Sequence, residues 1–222
     1  RQGQHPDPFE VDILDLALLL HAEHGGGNNS SFTTAVVSST ASDIYATITA
    51  AIGSLKGPLH GAANKKVMDM MADIKSHVSD WTNANEVRGY LEKIVQKKGY
   101  DRSGKLYGLG HAVYTASDPR AIILKQKAEE LATRVDRMDE FTLYCLVESE
   151  GPEVFQLVKG SDKRIAANVD FFSGFVYDCL GIPADIYTPM FAMARTAGWC
   201  SHRLEEILSG KRVIRPAYKF VG

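Results

Sequence analysis

The chain has 222 residues, 45% of them hydrophobic, which is enough to bury a substantial core. Its formal net charge of -2 at pH 7 produces no overall positive field, and it contains no lysine-rich tract, so we exclude a nucleic-acid partner. The longest wholly apolar run, residues 16–20, is far shorter than the ~20 residues that cross a bilayer. A globular protein without a membrane segment is predicted.

The three cysteines, Cys145, Cys179 and Cys200, are an odd number and form no C-x-x-C pair. This usage fits a reducing compartment better than a disulfide framework. We therefore predict a cytoplasmic protein in which all three are buried thiols.

Helical spacing dominates the sequence, and strand-like alternation is scarce. An apolar helix follows the polar first residues, and the stretch AANKKVMDMM indicates another. Val87, Leu91 and Ile94 share one face at three- and four-residue spacing, as do Leu124 and Ala128 later in the chain. The fold class is therefore predicted to be all-α.

The ends of the helices are predicted from capping residues, glycine and proline. Asp118 supplies an N-cap and Pro119 the first turn of a helix from about 119 to 136. Four glycines stand where helices are expected to stop: Gly99, Gly151, Gly160 and Gly210. Breaks between helices are predicted at 25–30, 57–61, 99–110, 151–152 and 181–183.

Two histidine motifs lie at the first breaks. The stretch HAEHGGGNNSS places His21 and His24 one helical turn apart; they could share a metal ion if a third ligand joined them, or be helix-terminal histidines without chemistry. The stretch GPLHGAAN holds His60 at an apparent helix start, where backbone amides disfavour imidazolium. A neutral His60 can donate a hydrogen bond to a ligand, or it can simply cap the loop.

The stretch GLGHAVYTASDPR combines flexible backbone with two polar side chains. Gly108 and Gly110 let the backbone approach a ligand closely beside His111. Arg120, one turn into the next helix, can grip a carboxylate through two parallel hydrogen bonds. The alternative is a turn followed by a surface arginine.

Three charged residues stand in apolar surroundings further along. In NVDFFSG, aromatic neighbours desolvate Asp170, which raises its pKa and makes it a stronger base, unless it faces solvent at a helix start. Arg195, in the apolar stretch FAMARTAGW, needs an anionic partner or a route to water. Arg215 precedes Pro216 in a basic tail.

The order and spacing of these motifs resemble the citrate synthase family over nearly the whole chain, from His21 to Tyr218. The resemblance implies the condensation of acetyl-CoA with oxaloacetate and water to give citrate and CoA. It assigns the base to Asp170, stabilisation of the enol(ate) to His60, and polarisation of the oxaloacetate ketone to His111.

The resemblance also implies the binding residues. Oxaloacetate is expected to contact five side chains: His24, His111, Arg120, Arg195 and Arg215. In this family, Arg215 comes from the neighbouring subunit of a homodimer. Coenzyme A thioester enters as a co-substrate, expected at Gly108, Leu109 and Gly110, and neither a metal nor a permanently bound cofactor is implied. Leu109 and Thr115 depart from the family pattern, Thr115 where relatives often carry a basic residue near the CoA phosphates.

The family fold consists of two α-helical domains that close over the substrates. By resemblance, residues 62–181 form the small domain, and 1–61 with 182–222 form part of the large one. The N-terminal region of the large domain is expected to be absent, in keeping with a start at Arg1 without methionine. We therefore expect little or no turnover from this chain alone.

Two other functions stay open at this point. A 2-methylcitrate synthase would use propionyl-CoA, and one extra methylene changes pocket binding by only ~1–3 kcal/mol, so the motifs do not separate the two substrates. A non-catalytic assembly or metal-binding module could use His21 and His24. The joint presence of His60, His111 and Asp170 favours an enzyme.

Overall fold

The computed structural model of the chain describes residues 5–111, 113–210, 212–217 and 219. Over these residues there are nine α-helices, one 3-10 turn at Ala184–Ile186 and no β-strand, which confirms the all-α prediction. The helices are α1 (Pro8–His21), α2 (Asn29–Ser38), α3 (Ile44–Lys56), α4 (Ala63–His77), α5 (Ala84–Val95), α6 (Pro119–Arg134), α7 (Met138–Lys159), α8 (Val169–Cys179) and α9 (Tyr187–Leu208). Tyr218, where the family resemblance ends, lies outside the described residues.

Contacts within the chain divide it into two compact units. Unit 1 comprises residues 1–17 and 63–187, and unit 2 comprises residues 18–62 and 188–222. The backbone therefore passes from one unit to the other after residues 17, 62 and 187. The domain boundaries that the family resemblance implies, before residue 62 and after residue 181, stay a prediction.

Helix α8 is the buried centre of unit 1. Its sequence, VDFFSGFVYDC, is apolar on almost every side, and such a helix must be covered all round. Phe171, Phe172 and Phe175 are fully buried, and their rings lie 5.5, 6.3 and 5.0 Å from the ring of Tyr144 in α7. Helices α4 and α6 also pack on α8. The backbone of Asp170, in the first turn of α8, is therefore held in place by a well-packed helix.

Unit 2 is built around helices α2, α3 and α9. Helix α2 packs along α3. Ala51 and Leu55 of α3 form a fully buried cluster with Trp199 of α9, and Ile48 and Phe191 pack against it. This cluster fixes α9 against α3 inside the unit.

The predicted break at 151–152 is wrong, because α7 runs without interruption through Gly151 and Pro152. Gly151 is buried, and a Cβ atom there would overlap the side chain of Leu109. The glycine thus serves the close approach of the Leu109 loop to the helix and does not end it. The helix ends instead at Gly160, which has left-handed backbone (φ 57°).

The cysteines are free thiols, as predicted, although Cys145 and Cys200 are half-buried and only Cys179 is buried. Within the residues that the structure describes, no helix combines the length and apolarity needed to cross a lipid bilayer.

Two helical glycines of unit 2 predict opposite effects of the same substitution. At Gly198 in α9, an added Cβ would overlap the carbonyl oxygen of Ala22 and the Glu23 carboxylate. We expect Gly198→Ala to lower the free energy of unfolding by roughly 1–3 kcal/mol, the usual cost of overpacking. At Gly53 in α3 the added methyl meets nothing within 4 Å. Gly53→Ala should therefore stabilise by roughly 0.5–1 kcal/mol through reduced backbone entropy. Urea unfolding of both variants measures the difference, and equal effects would contradict the tight packing at Gly198.

Candidate functional site

In unit 1, the loop that carries His111 is hydrogen-bonded to the residues just before α8. The backbone N–H of Asn168 donates to the Gly108 carbonyl at 2.9 Å, and the Gly110 N–H donates to the Ala166 carbonyl at 2.7 Å. The side-chain amide of Asn168 also donates to the Gly110 carbonyl at 3.0 Å. These bonds tie the His111 loop to the N-terminus of the helix that carries Asp170.

Gly108 is required by this arrangement. Its φ of +77° is left-handed, and an added Cβ would lie 2.7 Å from Cγ2 of Val67 and 2.8 Å from a ring carbon of Phe171. The backbone of the loop can therefore lie directly against α4 and α8 only because this position has no side chain.

His111 is held in one tautomer by its own loop. Its Nδ1 accepts the backbone N–H groups of Val113 and Tyr114 at 3.0 and 3.1 Å, so Nδ1 carries no proton. Burial and the nearby charge of Arg120 lower the pKa of His111, while Asp118 opposes them. The ring is therefore neutral near pH 7, with its proton on Nε2, and Nε2–H can donate to a ligand oxygen.

Arg120 is oriented by the fully buried carboxylate of Asp118. Asp118 accepts from Nε and Nη2 of Arg120 at 3.1 and 2.8 Å, a two-pronged ion pair. It also caps α6 by accepting the Arg120 backbone N–H at 3.0 Å, and it accepts the Val169 N–H of α8 at 3.3 Å. Burial raises the pKa of Asp118, but the hydrogen bonds and charge of Arg120 outweigh it and hold the pKa below its usual value.

Asp170 lies half-buried in the first turn of α8. Its backbone N–H donates to the side-chain oxygen of the N-cap residue Asn168 at 3.0 Å. The increase in the pKa of Asp170 that its aromatic neighbours in the sequence suggest stays a prediction.

A cavity of about 480 Å³ opens beside this loop in unit 1. All three residues predicted to contact coenzyme A lie on its wall. His111 also lines the cavity, and the rest of the wall includes apolar side chains, among them Leu106, Phe155 and Ile165, and the basic side chains of Lys105 and Lys163. Thr115 is exposed and is not one of the lining residues.

In unit 2, His60 lies in the turn before α4, and its Nε2 is 3.1 Å from the Ser30 hydroxyl. Burial lowers the pKa of His60, and the charge of Arg195 lowers it further, while a hydrogen bond to its own backbone opposes this. The ring is therefore neutral near pH 7. The sequence predicted a neutral ring for a different reason, the amides of a helix start.

Arg195 is fully buried in α9, which rules out the alternative of a side chain that reaches the surface. Its Nε donates to the carbonyl oxygen of His21 at 2.6 Å, and its guanidinium carbon lies 4.7 Å from the centre of the Phe191 ring. A buried guanidinium keeps its charge, so it makes the surroundings of His60 favourable for anions.

His21 and His24 do not share a helix, because α1 ends at His21. His24 is half-buried in the following loop, where Glu23 accepts its backbone N–H at 2.7 Å. Over the described part of the chain, no group of three or more His, Cys, Asp or Glu side chains is placed to hold a metal ion. Arg215 is exposed in the segment that follows α9.

The structure adds three side chains that the sequence did not suggest for the site. Asp118 was predicted only as a helix cap, yet it also orients Arg120. Ser30 and Trp199 meet at His60, since the Trp199 indole N–H donates to the Ser30 hydroxyl at 3.1 Å. The role of Asp118 could have been found from the sequence, because a charged N-cap two residues before Arg120 indicates an ion pair. The contact of Trp199 with Ser30 could not, because these residues are 169 positions apart.

Comparison with known proteins identifies one family. The family model for "Citrate synthase, C-terminal domain" matches residues 1–217. The chain is 40% identical over 219 residues to a citrate synthase of Synechocystis, covering 99% of this chain and 50% of that protein. It is 37% identical over 223 residues to a 2-methylcitrate synthase of Shewanella oneidensis, covering 99% of this chain and 53% of that protein.

A solved structure gives the same result. The chain is similar to Thermoplasma acidophilum citrate synthase in its ternary complex with carboxymethyl coenzyme A and oxaloacetate, with a TM-score of 0.79 and 34% identity. The match covers 99% of this chain and 54% of that chain. The chain thus spans about half the length of the relatives that it matches.

Replacing Asp118 tests the buried ion pair. Asp118→Asn keeps the shape but loses the charge, and we expect the free energy of unfolding to fall by roughly 1.5–3 kcal/mol above about pH 5. Because the folded-state pKa of Asp118 lies below its usual value, the wild-type advantage is complete above the unfolded-state pKa and is lost as the pH falls through the folded-state pKa. Urea unfolding between pH 7 and pH 3 measures this. Asp162→Asn, at an exposed position, is the control; a loss for Asp118→Asn that does not shrink at low pH would contradict the ion pair.

Proposed function

The chain belongs to the citrate synthase family, and we propose that the whole protein condenses acetyl-CoA with oxaloacetate and water to give citrate and coenzyme A. The observation that carries this proposal is the arrangement of unit 1. There a neutral histidine with a fixed Nε2–H donor accompanies an arginine that Asp118 holds through Nε and Nη2, which leaves the other guanidinium N–H groups to bind a ligand carboxylate. A site that binds an oxoacid needs a hydrogen-bond donor for the ketone oxygen and a cationic side chain for the carboxylate.

In the first step, the Asp170 carboxylate removes a proton from the methyl group of acetyl-CoA. Negative charge builds on the thioester oxygen as the proton leaves, and His60 stabilises that charge by donating a hydrogen bond from its neutral ring. Positioned proton transfer of this kind contributes ~10²–10⁴-fold to the rate. Support comes from the half-buried position of Asp170 and from the lowered pKa of His60.

In the second step, the enol carbon attacks the ketone carbon of oxaloacetate. His111 polarises the ketone by donating a hydrogen bond from its Nε2–H, and the alkoxide that forms with the new carbon–carbon bond takes up a proton from water. Arg120, Arg195 and His24 hold the dicarboxylate so that the reacting carbons meet. Hydrolysis of the citryl thioester by water then releases citrate and coenzyme A.

Coenzyme A is proposed to lie in the cavity beside Gly108, Leu109 and Gly110. Support comes from its mixed lining, with Phe155 for an aromatic base and Lys163 for a phosphate. Because Thr115 lacks the charge that relatives often have, the lysines of the cavity carry more of the phosphate interaction.

The alternative substrate is propionyl-CoA, and the similarity of the chain to a Shewanella oneidensis protein named 2-methylcitrate synthase supports it. Steady-state kcat/KM of the whole protein with acetyl-CoA and with propionyl-CoA separates the two. A higher kcat/KM for acetyl-CoA is expected, and a higher value for propionyl-CoA would replace the proposed function by 2-methylcitrate synthesis. Loss of activity with both would reject the family reaction.

Asp170→Asn should abolish condensation but leave oxaloacetate binding intact, because the carboxylate acts on the other substrate. We expect kcat of the whole protein to fall at least ~10²-fold, while calorimetry shows oxaloacetate affinity within about twofold. Asp162→Asn, exposed in unit 1, is the matched control and should keep wild-type kcat. A variant that retained a tenth of the activity would remove Asp170 from the role of base.

We further propose a homodimer in which Arg215 serves the neighbouring subunit's site. Its exposed position, followed by Pro216, supports a segment that reaches beyond its own chain. Arg215→Ala and Asp170→Asn homodimers should each be nearly inactive. After subunit exchange, hybrids carry both lesions in one site and none in the other, so about a quarter of wild-type activity should return. Demonstrated exchange without any recovery would show that Arg215 serves its own subunit.

A further inference from the structure

Helix α9 binds the backbone of the segment that leads to His24. Nε of Arg195 donates to the carbonyl oxygen of His21 at 2.6 Å, and the backbone N–H of Gly198 donates to the carbonyl oxygen of Ala22 at 3.1 Å. Residues 195 and 198 are three positions apart, so they lie on the same face of α9. Two successive carbonyl groups of the segment are therefore fixed just before His24.

The side chain of Glu23 adds a third contact with this face of α9. Its Oε1 lies 2.9 Å from Nε2 of His202, which is four residues beyond Gly198. The same oxygen accepts the backbone N–H of His24 at 2.7 Å and the backbone N–H of Gly25. Because a carboxylate only accepts hydrogen bonds, Nε2 of His202 carries a proton and donates to Glu23.

The neighbours of Glu23 hold it in the conformation that this role requires. To reach the N–H groups of the next two residues, its side chain folds back over its own backbone, which costs conformational entropy. The bond from His202 keeps it there, and Gly198 leaves room for it, since an added Cβ would overlap the carboxylate. Burial raises the pKa of Glu23, but hydrogen bonds from Gly25, His202 and His24 outweigh this and hold the pKa below its usual value.

The two N–H groups that Glu23 binds flank the Cα atom of His24. The chain then turns at Gly25, whose φ of +90° is left-handed. An acceptor that fixes both N–H groups therefore also fixes the direction in which the side chain of His24 leaves the backbone.

We propose that Glu23 and His202 are a positioning pair for His24 and thereby set the affinity of the protein for oxaloacetate. The statement about affinity rests on the proposed function, in which His24 holds the dicarboxylate. Both members of the pair act through His24 and not on the substrate itself. Loss of either should weaken oxaloacetate binding and leave the use of acetyl-CoA unchanged, because His24 has no proposed role toward the thioester.

Hydrogen exchange tests the positioning directly. In His202→Leu and in Glu23→Ala of the whole protein, we expect the backbone amides of His24 and Gly25 to exchange roughly tenfold faster than in the wild type. Mass spectrometry of peptides that span residues 22–28 measures the rates. Unchanged exchange would overturn the proposal. Glu23→Ala alters a side chain that is 46% exposed, so it decides the question even if His202→Leu fails to fold.

The consequence for binding is a split between the two substrates. For His202→Leu we expect the Kd of oxaloacetate from calorimetry, and its KM, to rise roughly tenfold, since a displaced group costs up to ~10²-fold. The kcat and the KM for acetyl-CoA at saturating oxaloacetate should stay within about twofold. Similar losses in every parameter would indicate general damage to unit 2 and would overturn the positioning role.

Two further variants are matched controls at the same place. His202→Gln brings a side-chain N–H close to the position of Nε2 and should restore wild-type exchange and oxaloacetate affinity. Glu205→Gln removes the other carboxylate beside His202, whose Oε2 lies 3.7 Å from Nδ1, and should change neither. An effect of Glu205→Gln as large as that of Glu23→Ala would overturn the pairing of His202 with Glu23.

The failure of this proposal can be distinguished from the failure of the proposed function. A wild-type protein that did not bind oxaloacetate would reject the proposed function. The exchange rates of the His24 and Gly25 amides do not depend on any substrate, so they would still decide whether the pair positions His24.

Discussion

The buried carboxylate of Asp118 is the interaction on which the geometry of unit 1 depends. It caps α6, holds the guanidinium of Arg120 and accepts the first N–H of α8 at Val169. A buried ion pair contributes little net stability compared with apolar residues of the same volume, because both charges lose their hydration. Here the ion pair instead fixes positions. Asp118 binds Arg120 at the start of α6 and the backbone beside Asp170 at the start of α8, so neither residue can shift without the other.

The second constraint is the close approach of backbone to helix, which two glycines permit. Gly108 lies against α4 and α8, and Gly151 inside α7 makes room for the side chain of Leu109. Each contact presses the His111 loop onto helices that the aromatic core around α8 already holds rigid. A loop without such contacts would leave the position of His111 poorly defined, whereas a loop that is packed and hydrogen-bonded at several points holds it in one place.

Local signals predicted the helices, the Asp118 cap and the end at Gly160, because each of these depends on residues within one or two turns. The same signals failed at Gly151, since glycine marks a helix end and a close approach equally well. The order of the motifs identified the family and its candidate residues, but the bond from Val169 to Asp118 and the hydroxyl at His60 depend on tertiary contacts. Trp199 lies 169 residues from Ser30, and no periodicity in the sequence relates them.

The two proposed donor histidines are controlled in opposite ways. The Nδ1 of His111 accepts two backbone N–H groups of its own loop, and backbone donors cannot turn away, so its Nε2–H is a permanent donor. Nε2 of His60 lies 3.1 Å from the Ser30 hydroxyl, a side-chain group that can both donate and accept, so backbone geometry does not fix its partner. In the proposed reaction, the donor to the ketone is therefore fixed by backbone geometry, whereas the donor to the thioester oxygen depends on a side-chain contact inside unit 2.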